Sequence, residues 1–162
     1  MPDTGVYINH AKLEEADFGA LMGLQSSPIR ILMPMVVVDE LDGLKQHNKP
    51  HVRWRAGYTL AVLDRLFQTS TAPSRLHEAG TLPPAPDGRT RGDVVVELLF
   101  DPPGHVRLPI NDDEILDRAL AVEPLAGRKV TLLTYDTGQS TRARNAGLHV
   151  VKLSKEIEEE PK

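Results

Sequence analysis

Apolar positions along the chain follow two spacings, which predict alternating strands and helices. Short runs of β-branched and aliphatic residues predict strands, and apolar positions repeating every three to four residues predict helices. The predicted strands lie at 29–33, 93–100, 130–135 and 148–153, and the predicted helices at 12–24, 35–46, 52–67, 111–120 and 140–146. The Val-Tyr-Ile sequence at 6–8 favours a further strand or a buried turn. This alternation is typical of an α/β fold with a mainly parallel sheet and right-handed crossovers.

The helix predicted at 111–120 begins with acidic residues. Asn111 is a favourable N-cap, and Glu114 completes a capping-box pattern. At about 100° per residue, Asp112 falls within the apolar arc of this helix and Asp113 at its edge. That arc consists of Ile115, Leu116, Ala119 and Leu120. Acids in a first helical turn stabilise the helix dipole without any further role, so chemistry here depends on other carboxylates reaching the same place.

Glu40 is the most informative residue in the first half of the chain. The apolar arc of the helix predicted at 35–46 contains it together with Val36, Val37, Leu41 and Leu44. A carboxylate on an apolar face is costly unless it is paired, hydrogen-bonded or bound to a metal ion. The alternative, which stays open, is that its stem packs on the core while its head reaches water.

Residues 45–55 form the one basic cluster that also contains an aromatic residue. Its members are Lys45, His47, Lys49, His51, Arg53 and Arg55, with Trp54 among them. As a structural feature, the cluster is a solvated loop and helix start with Trp54 in the core. The alternative is nucleic-acid binding, in which the charges contact phosphates and Trp54 stacks on a base. The two histidines lack a partner at metal-ligand spacing and are interpreted as surface residues.

The stretch at 69–92 interrupts the apolar pattern, because seven of its residues are Pro or Gly. We interpret it as a flexible excursion and not as a domain boundary, since too little chain follows it for a separate core. The sequence therefore predicts a single domain over residues 1–154 and a charged C-terminal tail at 155–162.

Composition narrows the functional classes. The 162 residues are 40% hydrophobic and 26% charged, which is typical of one globular domain. A formal net charge of −4 argues against nucleic-acid binding by overall charge, so phosphate contacts would need a local basic cluster. The absence of cysteine excludes disulfides and thiolate chemistry and fits a cytoplasmic location. No apolar run is long enough to span a bilayer and no signal peptide opens the chain, so we expect no membrane association.

Several acids are expected at one edge of the predicted sheet. The carboxyl ends of parallel strands form the ligand edge of such folds, and Asp136 directly follows a strand. Asp3, Glu40 and Asp112 can reach the same edge. Because carboxylates repel one another, their convergence implies a cation. Oxygen ligands without Cys or clustered His favour Mg²⁺ or Mn²⁺ over Zn²⁺, and such an ion is commonly used for phosphodiester hydrolysis.

Four acidic segments resemble, in order, the motifs of PIN-domain ribonucleases. They are Asp3-Thr4, Val-Asp-Glu-Leu-Asp-Gly-Leu-Lys at 38–45, Asn-Asp-Asp-Glu-Ile-Leu at 111–116 and Thr-Tyr-Asp at 134–136. The resemblance covers essentially the whole chain. It implies an α/β, three-layer PIN-like fold, in which a central, mainly parallel sheet is flanked by helices. It also implies metal-dependent cleavage of RNA, usually endonucleolytic.

The resemblance further implies roles for individual residues. It places catalytic, metal-binding acids at Asp3, Glu40, Asp112 and Asp136, with Asp113 in reserve beside Asp112. Thr4 and Thr137 would be neighbouring polar groups that orient water at the metal. With this function, Lys45, Lys49, Arg53 and Arg55 become candidates for RNA contact. The expected cofactor is Mg²⁺ or Mn²⁺ and the expected partner is single-stranded RNA, while a homodimer, an antitoxin or another protein partner is left open.

Two departures from the family pattern concern the start of the chain. Gly5 stands where the family commonly has Asn, and only Met1 and Pro2 precede Asp3, where the family has a strand. That strand is either rebuilt from residues 6–8, or the chain is a truncated or differently started form. The main alternative function is a catalytically inactive PIN-like module that binds RNA or a protein. Phosphotransfer at Asp3 is disfavoured, because no second acid follows two residues later.

Overall fold

The computed structural model describes residues 1–155, so the predicted tail at 155–162 lies outside the described residues except for Lys155. The described residues form helices α1 (Thr4–Asn9), α2 (Phe18–Leu21), α3 (Met35–Leu44), α4 (Pro50–Phe67), α5 (Asn111–Ala126) and α6 (Thr137–Asn145). Their strands are β1 (Ile29–Pro34), β2 (Ser74–His77), β3 (Val94–Leu99), β4 (Thr131–Thr134) and β5 (His149–Lys152). The alternation of helices and strands is confirmed.

Strand pairing is mainly parallel. β1 pairs with β3 and β4 pairs with β5 in parallel, whereas β2 runs antiparallel to β3, on the side away from β1. Residues 1–3 lie alongside β4. The Leu133 N–H donates to the Met1 carbonyl, and the Asp3 N–H donates to the Leu133 carbonyl, each at 2.9 Å. The strands are hydrogen-bonded in two groups, β1-β3-β2 and β4-β5, instead of one continuous sheet. The helices flank these strands, so the predicted α/β fold with mainly parallel pairing is confirmed.

The start of the chain differs from the expected strand or turn. Residues 6–8 belong to α1, and Asp3 caps that helix by accepting a 3.0 Å hydrogen bond from the Val6 N–H. Residues 6–8 are all buried, so their apolar character serves helix packing and not a strand. The extended residues before α1 reach β4 through the bridge between Pro2 and Leu133.

Two further segments differ from their predictions. In the stretch at 12–24, only the single turn of α2 is an α-helix. The stretch at 69–92 contains β2, which the Pro and Gly residues around it concealed. Arg91 near its end is 5% exposed, and its guanidinium binds the Asp17 carboxylate at 2.6 Å. This stretch is therefore anchored at both ends, while its flexibility between them stays a prediction.

A single apolar core joins the strands to the helices. Side chains that are at most 2% exposed include Val6, Met33, Val37, Leu41, Val62, Val96, Ile115 and Leu132. Because these come from α1, α3, α4, α5, β1, β3 and β4, the core fixes the relative positions of the elements that carry the acidic residues. Within residues 1–155, no helix combines the length and the apolarity needed to cross a membrane.

Candidate functional site

Acidic residues from four distant parts of the chain meet where β1 and β4 end. Asp3 caps α1, and Glu40 lies in α3, which continues directly from β1. Asp112 lies in the first turn of α5, and Asp136 follows β4 and caps α6. They are also close enough to interact electrostatically, because the negative charges of Asp112 and Asp136 both raise the pKa of Asp3. The structure therefore brings all of the predicted catalytic acids to one place.

Asp3 is the most buried of these acids, with 6% of its surface exposed. One carboxylate oxygen accepts from the Val6 N–H, and the other accepts from the Thr134 hydroxyl. Burial raises the pKa of Asp3 to about 6 and outweighs these hydrogen bonds, which lower it. A carboxyl group in this environment favours a nearby cation, because a cation stabilises its ionised form.

Glu40 is held through both of its carboxylate oxygens. The Thr4 hydroxyl donates to Oε2, and the Asn111 amide donates to Oε1 at 3.1 Å. This explains how a carboxylate is tolerated on the inner part of α3, because its oxygens are hydrogen-bonded. Thr4 lies beside the acids as predicted, and here it orients Glu40.

Asp112 and Asp113 are half-buried and face the only arginine that contacts these acids within residues 1–155. Burial raises the pKa of Asp112, and the charges of Asp136 and Glu40 raise it further. Arg142 opposes this shift, with Nη2 3.8 Å from an Asp112 oxygen. Its Nε lies 3.3 Å from an Asp113 oxygen. Asp113 thus shares a counter-cation with Asp112.

Asp136 is oriented by the start of α6. Its Oδ1 accepts from the Gln139 N–H at 2.5 Å, and its own N–H donates to the Thr134 hydroxyl at 2.9 Å. Thr137 is exposed at the first position of α6, and within residues 1–155 its hydroxyl makes no hydrogen bond to the acids. The threonine hydroxyl that contacts both Asp3 and the Asp136 backbone belongs to Thr134.

This donor set fits a hard divalent cation. All of its side chains offer carboxylate oxygens, which Mg²⁺ and Mn²⁺ prefer. Among the described residues, no three of these acids bring ligand oxygens within 4.8 Å of one another. A small ion would therefore contact one or two of the carboxylates and keep part of its water shell, as Mg²⁺ usually does in proteins.

A tighter group of potential ligands lies elsewhere, on α5 and the loop before it. His105 Nε2 is 2.7 Å from a Glu114 oxygen, and Asp117 completes a group whose ligand atoms lie within 4.8 Å of one another. The Arg118 guanidinium is 2.6 Å from the Asp117 carboxylate and 3.4 Å from that of Glu114. Because Arg118 already supplies positive charge, these residues form an internally neutralised network.

The capping box predicted at the start of α5 is wrong. The N-cap is Ile110, and Asn111 is the first helical residue, whose side chain turns to Glu40 instead. Glu114 is 0% exposed, and its Oε2 accepts from the Leu108 N–H at 2.8 Å. The fully buried acid of this helix is therefore Glu114 and not Asp112, because Glu114 anchors the preceding loop to the helix.

One member of the basic cluster is structural. Arg55 is 7% exposed, and its Nη2 donates to the carbonyls of Tyr7 at 2.8 Å and His10 at 2.6 Å. These bonds fix α4 against the end of α1. The prediction that Arg55 contacts RNA is therefore wrong, since its guanidinium is occupied inside the protein.

The other members of the cluster lie on the surface near the start of α4. Lys45, Lys49 and Arg53 are exposed. Trp54 is 55% exposed and stacks on Tyr58 with ring centroids 5.4 Å apart. The interpretation that Trp54 belongs to the core is wrong, and the Lys12 ammonium lies 6.0 Å from the centroid of its ring.

Three side chains of the site were absent from the predicted set. Thr134 and Asn111 belong to motif segments already singled out, so their positions were marked although their contacts were not. Arg142 carried a weaker signal, because it lies in the predicted helix following Asp136 but in no motif. Its contact with α5 depends on how two helices pack, which spacing along the sequence does not reveal.

Comparisons with known proteins agree with this architecture. A family model described as a PIN domain matches residues 1–154. A domain of a functionally unknown protein from Methanocaldococcus jannaschii DSM 2661 is similar in structure, with a TM-score of 0.51. That similarity covers 99% of this chain and 94% of the other at 16% sequence identity, so it supports the fold alone. A comparison with curated proteins finds no significant match.

Proposed function

The chain belongs to the PIN-domain family, and from this premise we propose that it is a metal-dependent ribonuclease acting on single-stranded RNA. The proposed reaction is endonucleolytic hydrolysis of phosphodiester bonds in the cytoplasm, with Mg²⁺ or Mn²⁺ as cofactor. PIN domains are typically metal-dependent nucleases, and the activity and substrate of this chain are our inference from its site.

The convergence of Asp3, Glu40, Asp112 and Asp136 is the observation that carries this proposal. Burial raises the pKa values of Asp3 and Asp112, and the negative charges of the neighbouring acids raise them further, so these carboxylates repel one another. A fold that keeps such repulsion gains from a divalent cation.

The chain's own residues prepare the site for hydrolysis. A divalent ion held by the carboxylates would supply Lewis acidity to the phosphoryl group and lower the pKa of an attacking water. Thr134 orients Asp3, while Thr4 and Asn111 orient Glu40. Because these oxygens are directed before any ligand arrives, little reorganisation is needed during the reaction.

The exposed basic residues at the start of α4 are the proposed path for RNA. Lys45, Lys49 and Arg53 offer charge for phosphates, and Trp54 offers a face for a base. α4 contacts α1 through Arg55, and Asp3 caps the start of α1. The basic residues and the acids therefore lie on elements that contact one another.

The test is cleavage of a single-stranded RNA by wild type and by the Asp136→Asn variant, each with Mn²⁺ and with EDTA. We expect wild type to cut only with the metal ion. Asn caps a helix as well as Asp does, so the variant keeps α6 but loses one ligand charge. Its cleavage should fall by about 100-fold or more, as when a preorganised electrostatic group is lost. Asp64→Asn, on the exposed side of α4, is the matched control and should cleave normally.

Thermal melts of the same proteins provide a readout that is independent of cleavage. Metal-free Asp136→Asn should be at least as stable as wild type, because one repulsive charge is removed. Millimolar Mn²⁺ should raise the melting temperature of wild type, because the ion binds the folded state, and that of the variant much less. A wild type that leaves RNA intact and melts at the same temperature with Mn²⁺ would instead favour the non-catalytic PIN-like module.

A further inference from the structure

Arg142 is the one cation that touches the acidic group within residues 1–155, and its surroundings differ from those of a structural arginine. It lies on α6, and its guanidinium reaches across to Asp112 and Asp113 at the start of α5. Its side chain is 51% exposed. By contrast, the structural Arg55 is 7% exposed and donates to backbone carbonyls at 2.6 and 2.8 Å.

The contacts of Arg142 are ion pairs without well-aligned hydrogen bonds. The distances of 3.8 Å to Asp112 and 3.3 Å to Asp113 satisfy charge attraction, but within residues 1–155 no N–H of this guanidinium makes a hydrogen bond. Exposed pairs of this kind contribute little to stability and exchange partners readily. The donors of Arg142 therefore stay available to a ligand that matches their geometry better.

Space for the guanidinium is left by Gly138. A Cβ at this position would lie 3.2 Å from the Asp136 carboxylate and 3.4 Å from Arg142 Nη1. The first contact is tighter than ordinary van der Waals distance and the second lies at its lower limit, so a side chain here would crowd the Asp136 carboxylate and touch the guanidinium. Glycine thus lets a positive and a negative group of the site occupy the same side of the first turn of α6.

We propose that Arg142 is a phosphate-binding residue of the site, which the carboxylates of Asp112 and Asp113 hold in place until the phosphate of the substrate arrives. This proposal rests on the proposed function for the identity of the substrate. A planar guanidinium binds two oxygens of a phosphodiester at once, which neither carboxylate contact achieves here. The positive charge of Arg142 also reduces the repulsion that an anionic phosphate meets when it approaches four carboxylates. A divalent cation that occupies Asp112 competes with Arg142 and frees it for the phosphate.

The experiment compares Arg142→Gln, Arg142→Lys and the matched control Arg144→Gln, which changes an exposed arginine on the same helix. RNA binding is measured in EDTA, where no metal-dependent cleavage occurs, by fluorescence anisotropy over a series of salt concentrations. Arg142→Gln should weaken RNA binding five- to tenfold and lower the salt slope by about 1, as loss of one phosphate contact does. Arg142→Lys should keep the slope, and Arg144→Gln should behave as wild type.

Manganese binding gives a second readout, taken from the rise in melting temperature with Mn²⁺ concentration. Removing the competing guanidinium should lower the Mn²⁺ concentration at half-effect two- to fivefold in Arg142→Gln and leave it unchanged in Arg144→Gln. Tighter Mn²⁺ binding without any change in RNA affinity would show that Arg142 only neutralises the acids, and would overturn the proposal. Equal RNA affinity and salt slope in Arg142→Gln and Arg144→Gln would overturn it too. These binding measurements do not depend on whether the protein cleaves RNA. They therefore distinguish a protein without cleavage activity from one in which Arg142 does not bind phosphate.

Discussion

At the scale of single residues, Asp3 links the acidic site to the stability of the metal-free protein. Burial raises the pKa of Asp3 from 3.8 to about 6 in the folded state. Between about pH 4 and pH 6 the folded protein therefore binds more protons at Asp3 than the unfolded chain does. The stabilisation from this protonation is complete below about pH 4 and is lost as the pH rises through about 6.

Asp3→Asn should remove this part of the pH dependence. Asn also caps α1, so the fold is kept, but its side chain does not titrate. In EDTA, the free energy of unfolding of wild type should fall relative to that of the variant between about pH 4 and pH 7. Urea unfolding at several pH values measures the difference, in which the titrating groups that do not interact with Asp3 cancel. Parallel profiles for the two proteins would mean that Asp3 has the same pKa in the folded and unfolded states.

Sequence reasoning located the acids of the site better than it described their contacts. Asp3, Asp112 and Asp136 lie at helix starts near the carboxyl ends of the strands, and Glu40 lies on the inner face of the helix that continues from β1, which periodicity and motif order can predict. The inward direction of Glu114 could not be predicted, because the capping box assigned its side chain to the start of the helix, and the helix in fact begins one residue earlier than an Asn111 cap implies. Glu114 instead accepts from the Leu108 N–H and is fully buried, while Asp112 is half-buried.

At the scale of elements, the junction of α3 and α4 carries the charges proposed to guide RNA. Replacing Lys45 and Lys49 by Gln should weaken binding and lower the salt slope by about 2, because two phosphate contacts are lost. These two lysines are chosen because Arg53 also donates to the His47 carbonyl at 2.8 Å and supports the loop. Fluorescence anisotropy in EDTA measures both quantities. An unchanged slope in this variant would show that RNA enters elsewhere, and Arg89→Gln with Arg128→Gln controls for the loss of two exposed charges.

Trp54 separates stacking from charge within the same segment. Trp54→Ala should weaken RNA binding by about 1 kcal/mol or more while leaving the salt slope as in wild type, because stacking on a base releases no counterions. The same anisotropy titrations provide the measurement. An affinity equal to that of wild type would leave the Trp54–Tyr58 stack as a surface feature without contact to RNA.

The stretch at 69–92 should show a gradient of amide exchange. The amides of β2 are expected to exchange slowly where they pair with β3, whereas residues 82–90 are exposed over most of their length and should exchange fast. Trypsin should therefore cut at Arg89 before the core unfolds. Slow exchange throughout 76–91 would instead show that the whole stretch is a folded element.

The sequence of β2 explains why no strand was predicted in the stretch at 69–92. Its sequence, Ser-Arg-Leu-His, has little apolar character, and a proline precedes it. Pairing with β3, which supplies the partner hydrogen bonds, makes it a strand. Conversely, Val-Tyr-Ile at 6–8 has high strand propensity, but the Asp3 cap and burial hold it in α1. In both segments the secondary structure is determined by tertiary contacts, which a local sequence pattern does not contain.

At the scale of the whole molecule, one end of the sheet carries the acids and the other a cavity. A cavity of about 560 Å³ opens near the amino ends of β1 and β4, where Ile29 and Val130 contribute to its wall. The acids lie at the carboxyl ends of the same strands. The overall architecture could be predicted, because the alternation of strands and helices restricts the possible topologies. The cavity could not be predicted, because it depends on how side chains pack, which the spacing of apolar residues does not reveal.

The contact between Asp3 and Thr134 joins residues that are 131 positions apart, and it has a consequence for the order of events during synthesis. A chain leaves the ribosome with its N-terminal part first. Asp3 and Glu40 are thus exposed long before β4 and Asp136 have been translated. Until that last segment emerges, Asp3 has no hydroxyl donor from Thr134 and the edge lacks its final carboxylate. The site proposed to cleave RNA is therefore incomplete while most of the chain is being made beside the ribosome and its messenger.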